Sequence, residues 1–210
     1  MPHTRKAWVI GILVLTTFSL SHARQNPLNA AKTPYSSPYF PDGVFAENRA
    51  KSDAIAYIFS TLLNGMREPS LTRAANERVT SVYRFVWYHP SFNPISLRLE
   101  IYPHGGGTLT TKVFTGVRLV RDKTSQVSPS EVSEFLRKIE AAEFWSLSNS
   151  QLPEDLDGPS WLLEGKDNDK YQVVYRYYPC ESAFTEIGKY LRSLARFIDP
   201  SRIVPAAKCK

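Results

Sequence analysis

Hydrophobic positions change their period twice along this chain. Residues 47–63 carry Ala54, Ile55, Ile58, Phe59, Leu62 and Leu63 at helical spacing, and Asn64-Gly65 supplies a stop. This predicts an amphipathic helix whose apolar stripe packs on a sheet. The period then shortens. Residues 79–88 are rich in β-branched and aromatic side chains. Residues 96–102 alternate, with Leu97, Leu99 and Ile101 on one side and Arg98 and Glu100 on the other. His104-Gly105-Gly106-Gly107 interrupts them, and 108–120 resume with many Thr and Val residues. A strand, a glycine turn and a long third strand are expected, with Gly116 marking a bulge or bend.

The helical period returns after Ser128-Pro129-Ser130-Glu131, where Ser128 can cap the open amides and Glu131 completes a capping box. Val132, Phe135, Leu136 and Ile139 form one face of that helix, and Phe144-Trp145 follow it. A polar loop over 146–159 leads to a second hairpin, 161–165 with 170–178, turning at Lys166-Asp167-Asn168-Asp169. A last helix spans about 182–198 with Phe184, Ile187, Leu191, Leu194 and Phe197 inward, and Pro200 ends it. The order is helix, three strands, helix, two strands, helix. Hairpin connections favour an α+β domain: a single antiparallel sheet of about five strands, with three helices packed mainly on one face.

The chain ends qualify this picture. Arg5 and Lys6 precede an uncharged, largely apolar run from Ala7 to Leu20, and Ser21-His22-Ala23 offers small residues around a cut after Ala23. That is the pattern of a secretory signal peptide over 1–23. The run is shorter than the roughly 20 residues a spanning helix needs, which disfavours a retained anchor. Pro27, Pro34, Pro38 and Pro41 make 24–46 an extended or disordered leader. The expected domain then covers 47–200, with 201–210 as a tail.

Charge and cysteine content follow from this address. The formal net charge of +6 falls to +4 once Arg5 and Lys6 leave, and the charges are scattered, which argues against nucleic acid as a partner. No later segment is long and apolar enough to span a membrane, and a monomer is expected. Cys180 and Cys209 are the two cysteines. In an oxidising compartment an even pair favours a disulfide, and the 11 residues from Asp199 to Cys209 are long enough to return along the last helix. Closing that loop would stabilise the fold by about 3–4 kcal/mol on the chain-entropy estimate.

Candidate chemistry is sparse. Beyond residue 23 the histidines are His89 and His104, each at a strand end, and no H-x-x-x-H pair exists. Two thiols without a neighbouring histidine do not complete a zinc shell, so neither a metal nor a cofactor is expected. His104-Gly105-Gly106-Gly107 is similar to the oxyanion loop of lipases, but no G-x-S-x-G elbow accompanies it. A hairpin turn accounts for the glycines. The acidic clusters at 154–158 and 167–169 do not match a calcium-binding EF-hand loop.

The second hairpin holds the candidate site. With Trp161 facing Tyr175 and Leu163 facing Val173, residues Glu164, Gln172 and Arg176 would share one sheet face with Leu162 and Val174. Together with Tyr178 and the aromatic strand Tyr83-Arg84-Phe85-Val86-Trp87-Tyr88 they could line a ligand surface. They could also form a cross-strand ion pair with a structural role only. Glu164 is the candidate acid–base group, although a glycosidase needs a second, facing carboxylate.

Trp161-Leu162-Leu163-Glu164-Gly165, followed by Tyr171-Gln172-Val173-Val174-Tyr175-Arg176-Tyr177-Tyr178-Pro179, resembles a block in uncharacterised exported bacterial proteins. The likeness extends over about 79–198 and includes Phe144-Trp145 upstream. It implies a secreted or periplasmic setting and a single domain, and brings no catalytic residue with it. The expected function is a non-enzymatic binding or interaction module of the cell envelope, whose ligand is a protein, a glycan or another envelope component. The alternatives are a small envelope hydrolase using Glu164 and an inhibitor of a partner enzyme.

Overall fold

A computed structural model describes residues 39–46, 48–73, 79–149 and 158–196. The expected signal peptide, most of the leader and the C-terminal tail lie outside them. The elements are α1 (Arg49–Gly65), β1 (Ser81–His89), β2 (Phe92–Ile101), β3 (Gly107–Phe114), β4 (Leu119–Val127), α2 (Pro129–Ala141), a 3-10 turn (Phe144–Ser146), β5 (Ser160–Asp167), β6 (Lys170–Tyr177) and α3 (Ala183–Leu194). All strand pairs are antiparallel, in the order β4-β3-β2-β1-β5-β6. The chain therefore meanders outward from β1 to β4, crosses back through α2, and adds β5 and β6 on the other side of β1.

The α+β class and the single antiparallel sheet match the sequence expectation; the sheet has six strands rather than about five. The extra strand comes from 108–127. Gly116, with φ 84°, turns the chain in a hairpin instead of bending one long strand. The segment 121–127 is almost wholly polar because β4 is an exposed edge, so it carries no alternation to read.

Each face of the sheet has its own cover. On one face Tyr83, Phe85, Leu97, Leu99, Leu109, Trp161 and Leu163 pack with Phe135 and Ile139 of α2, Phe144, and Ile187 and Leu191 of α3. Each of these larger side chains, once fully buried, is worth roughly 1.5–3 kcal/mol in apolar transfer. The opposite face places Val86, Leu162, Val173 and Tyr175 under Ile55, Phe59 and Leu63 of α1. So α2 and α3 share one face, and α1 takes the other.

Tyr39, Phe40 and Phe45, assigned by composition to the disordered leader, belong to the α1-side core, with Phe40 and Phe45 edge to face at 5.1 Å. Four prolines masked three aromatic anchors. The Asn64-Gly65 stop also moves. Gly65 is helical, and a Cβ there would come within 2.5 Å of the Phe114 ring, so close packing explains the glycine. The helix ends in a Schellman-type cap: Glu68 N–H donates to Leu63 O at 2.9 Å, and Arg67 occupies the left-handed position at φ 53°. The capping box of α2 forms as read, Ser128 and Glu131 each serving the other's backbone. The last helix stops at Leu194, with Arg196 at φ 43°, earlier than the expected 198.

Candidate functional site: a buried ionic row

The register of the β5–β6 hairpin decides which side chains meet. Glu164 pairs with Val173, Leu162 with Tyr175, and Trp161 with Arg176. This is one residue away from the expected register, and such a slip sends alternate side chains to opposite faces. Glu164 therefore faces α1 together with Tyr171 and Tyr175. Gln172, Val174 and Arg176 face α2 and α3. Strands buried on both sides carry apolar residues at every position, so matching large apolar groups could not fix the register.

The four candidate residues accordingly do not form one site. Gln172 donates its side-chain amide to the Leu147 carbonyl at 2.7 Å. Arg176 lies over the Phe184 ring at 5.3 Å and donates to the Tyr175 carbonyl at 2.9 Å; burial lowers its pKa. Tyr178 is 54% exposed, with φ 45°, and its ring meets Tyr177 edge to face. Cys180 is not a free thiol, and Cys209 lies outside the described residues.

Glu164 sits instead at the end of a charged row that sequence reasoning missed. Cross-strand pairing sets Arg84 beside Glu164 on β5 and opposite Arg98 on β2, with Lys112 diagonally beyond on β3. Two like charges directly opposite are unfavourable. The α1 cap resolves this by delivering Glu68 between them. Its carboxylate accepts from Arg98 Nε at 2.9 Å, lies 3.7 Å from Arg84 Nη1, and is 3.2 Å from Lys112 Nζ. Each sheet cation also has an acid of its own: Arg84 pairs with Glu164, Arg98 with Glu100, and Lys112 reaches Asp122 at 3.9 Å.

Backbone carbonyls complete the row. Pro69 O accepts from Arg84 at 2.6 Å, and Arg67 O accepts from Lys112 at 2.9 Å. Tyr39 donates to Glu68 O at 2.9 Å. Arg84, Glu164 and Glu68 have fully buried side chains. The sequence held one signal for this: Arg84 is the lone charge in a strand otherwise of buried type.

Glu164 is poorly placed for proton transfer to a substrate. One carboxylate oxygen accepts from Arg84 and the other from the Tyr171 hydroxyl at 2.9 Å. Burial raises its pKa, against the pull of Arg84 and Tyr171, and burial raises that of Tyr171 as well. A general acid or base must come within hydrogen-bond reach of the group it serves. Here both oxygens are held by the protein. Among the described residues His89 ends β1, stacked on Trp87 at 6.0 Å and accepting from Ser91 N–H at 3.0 Å, and His104 lies in the turn before β3. Among the described residues no group of three or more His, Cys, Asp or Glu side chains is arranged to hold a metal ion.

The two sheet edges differ. Along β6, Tyr175 N–H donates to Asn149 Oδ1 at 2.6 Å, while Asn149 Nδ2 donates to Val173 O at 3.3 Å and to Val44 O at 2.9 Å. One side-chain amide thus takes the place of a neighbouring strand. On the other edge, among the described residues, β4 pairs only with β3, and residues 120–124 are exposed. Next to the end of β4 lies a recess of about 220 Å³ lined by Lys123, Gln126, Val127, Glu131, Leu194 and Arg196. No helix among the described residues is long and apolar enough to cross a membrane. The chain matches no protein-family model and no curated protein.

Proposed function

We propose that this protein is an exported, non-catalytic binding module of the cell envelope. The observation that carries the reading is the state of Glu164. The acid–base candidate of the chain has a fully buried side chain and gives both oxygens to internal partners. The secretory pattern of residues 1–23 and the resemblance to exported bacterial proteins support the envelope setting. Both sheet faces carry packed helices, which moves binding from the sheet face to the margins of the sheet. The Cys180–Cys209 disulfide belongs to the same proposal. Two reactive thiols in denatured, unreduced protein would refute it.

The decisive experiment compares wild type with Glu164→Gln on ester, phosphoester, glycoside and peptide substrates. No turnover by either protein is expected. Turnover that disappears in Glu164→Gln while the variant stays folded would overturn the non-catalytic reading. Recovery of the protein from the periplasm with a new N-terminus at Arg24 is expected; retention of residues 1–23 would overturn the proposed cut.

A further inference from the structure

We propose that the corner where β6 leads into α3 binds a sugar acid, whose carboxylate is held by Arg176 and whose ring stacks on Tyr178. The inference rests on the binding reading above and names the ligand's chemistry. Arg176 is the group to explain. Its guanidinium lies over the Phe184 ring at 5.3 Å, and Nη1 donates to the Tyr175 carbonyl at 2.9 Å. Other partly or fully buried cations have an acid: Arg98 and Lys112 meet Glu68, and Lys138 meets Glu134. Among the described residues no carboxylate pairs with Arg176.

Two of its donors, Nε and Nη2, are left over. They serve no protein group among the described residues, and neither is shut away from solvent. On an arginine this pair forms one side of a planar fork that meets a carboxylate with two parallel hydrogen bonds. Burial lowers the pKa of Arg176, as befits a cation short of water and without a counter-charge. A carboxylate that pairs there gains more than at an open surface, because less water screens the pair. Arg192 supplies the contrast. Burial lowers its pKa too, but its Nε is enclosed without a partner, so no ligand reaches that fork.

Tyr178 lies two residues further on, a span of at most about 7 Å between Cα atoms. One sugar ring with its carboxylate bridges that distance. Tyr178 stands at φ 45°, a left-handed conformation that costs energy and persists only where the surroundings enforce it. Three contacts do so. Its N–H donates to Pro159 O at 2.8 Å, its ring meets Tyr177 edge to face at 4.7 Å, and Gly158 leaves its own Cβ position free for the ring. Yet 54% of the residue is exposed. The fold fixes this ring without covering it, and asparagine or glycine would take the same φ at lower cost.

The open setting selects the ligand. An apolar side chain needs an enclosing pocket, whereas a pyranose lays its C–H groups on an aromatic face and keeps its hydroxyls in water. The Tyr178 hydroxyl can both donate to and accept from those hydroxyls. Glu181, the nearest acid along the chain, lies 3.9 Å from Lys189, so the corner keeps the positive charge of Arg176.

The probe is methyl β-D-glucuronide, titrated into the full mature protein and followed by amide and arginine Nε–H shifts in NMR. Saturable binding is expected, with a dissociation constant of about a millimolar for a ligand of this size. Methyl β-D-glucoside, which lacks the carboxylate, and acetate, which lacks the ring, should each bind at least about tenfold more weakly. N-acetylphenylalanine carries a carboxylate beside an apolar ring and should also bind more weakly. If it binds as well as the glucuronide, the sugar assignment is overturned.

Arg176→Gln and Arg176→Lys should both weaken binding by roughly tenfold, since lysine keeps the charge and loses the fork. Full binding by Arg176→Lys would overturn the proposed carboxylate contact. Tyr178→Asn should lose binding to a similar degree with a melting temperature equal to or above that of wild type. Should the Arg176 variants unfold, Tyr178→Asn and the ligand series still decide the matter. Glucoside binding equal to glucuronide binding, no binding by wild type, or binding kept by a folded Tyr178→Asn would each overturn the proposal. The functional reading fails separately, through turnover that depends on Glu164.

Discussion

The two edges of the sheet solve the same problem in opposite ways. The β6 edge is finished from inside the molecule: Asn149 supplies an amide where a strand would be, and Gln172 ties β6 to Leu147. Close by, the charge on Glu164 is buried and held by Arg84 and Tyr171. The β4 edge is finished with exposed charge, Arg121, Asp122 and Lys123 in succession. Such charges on an edge strand discourage edge-to-edge aggregation. Charge inside this fold specifies one arrangement of the chain, while charge on its edge works against pairing with other sheet edges.

The largest effect is expected where buried charge holds the β5–β6 side together. Arg84→Ala leaves Glu164 and Glu68 buried without their shared cation and should cost about 3–5 kcal/mol in denaturant unfolding. A loss below about 1 kcal/mol would mean that the row is solvated and that the contrast between the edges is weaker than drawn. Asn149→Ala comes next. It removes the amide that serves Val44, Val173 and Tyr175 and should cost about 1–2 kcal/mol. Hydrogen exchange at the Tyr175 amide should speed up with it; unchanged exchange would show that Asn149 does not finish the edge.

A smaller, pH-dependent effect is expected at Glu164. Burial raises its carboxyl above the ordinary value. A carboxyl with a raised folded pKa contributes stability fully below its unfolded pKa and loses it as pH rises through the folded value. The stability gap between wild type and Glu164→Gln should therefore shrink as pH rises from about 4 to 8. A gap that widens would mean that pairing with Arg84 outweighs burial. The smallest effect on stability belongs to the exposed edge. Arg121→Glu/Lys123→Glu should stay within about 0.5 kcal/mol of wild type, since neither side chain is buried. A large loss there would make the β4 charges structural and erase the distinction.

Legibility followed the same divide. The β2 alternation, the glycine turn after Tyr102 and the capping box of α2 could be read locally, because each is encoded within a few neighbouring residues. The β4 strand could not, since an exposed edge needs no apolar side. Arg84 was visible as a charge in a buried strand, but its partners were not: Glu68 lies outside any periodic segment and reaches the row only through the α1 cap. Glu164 was noticed as a charge on the sheet but grouped with Gln172, Val174 and Arg176, which a register slip of one residue sends to the other face.

By itself the sequence determined the class of fold, because composition, period and caps are local properties. Tertiary structure decided the face on which Glu164 lies, the gathering of Arg84, Arg98 and Lys112 around Glu68, the burial of Tyr39, Phe40 and Phe45, and the contrast between the two edges. Those depend on strand register and on contacts between residues far apart in the chain. A strand buried on both faces carries no local mark of which side is which, so only the assembled sheet can assign its side chains.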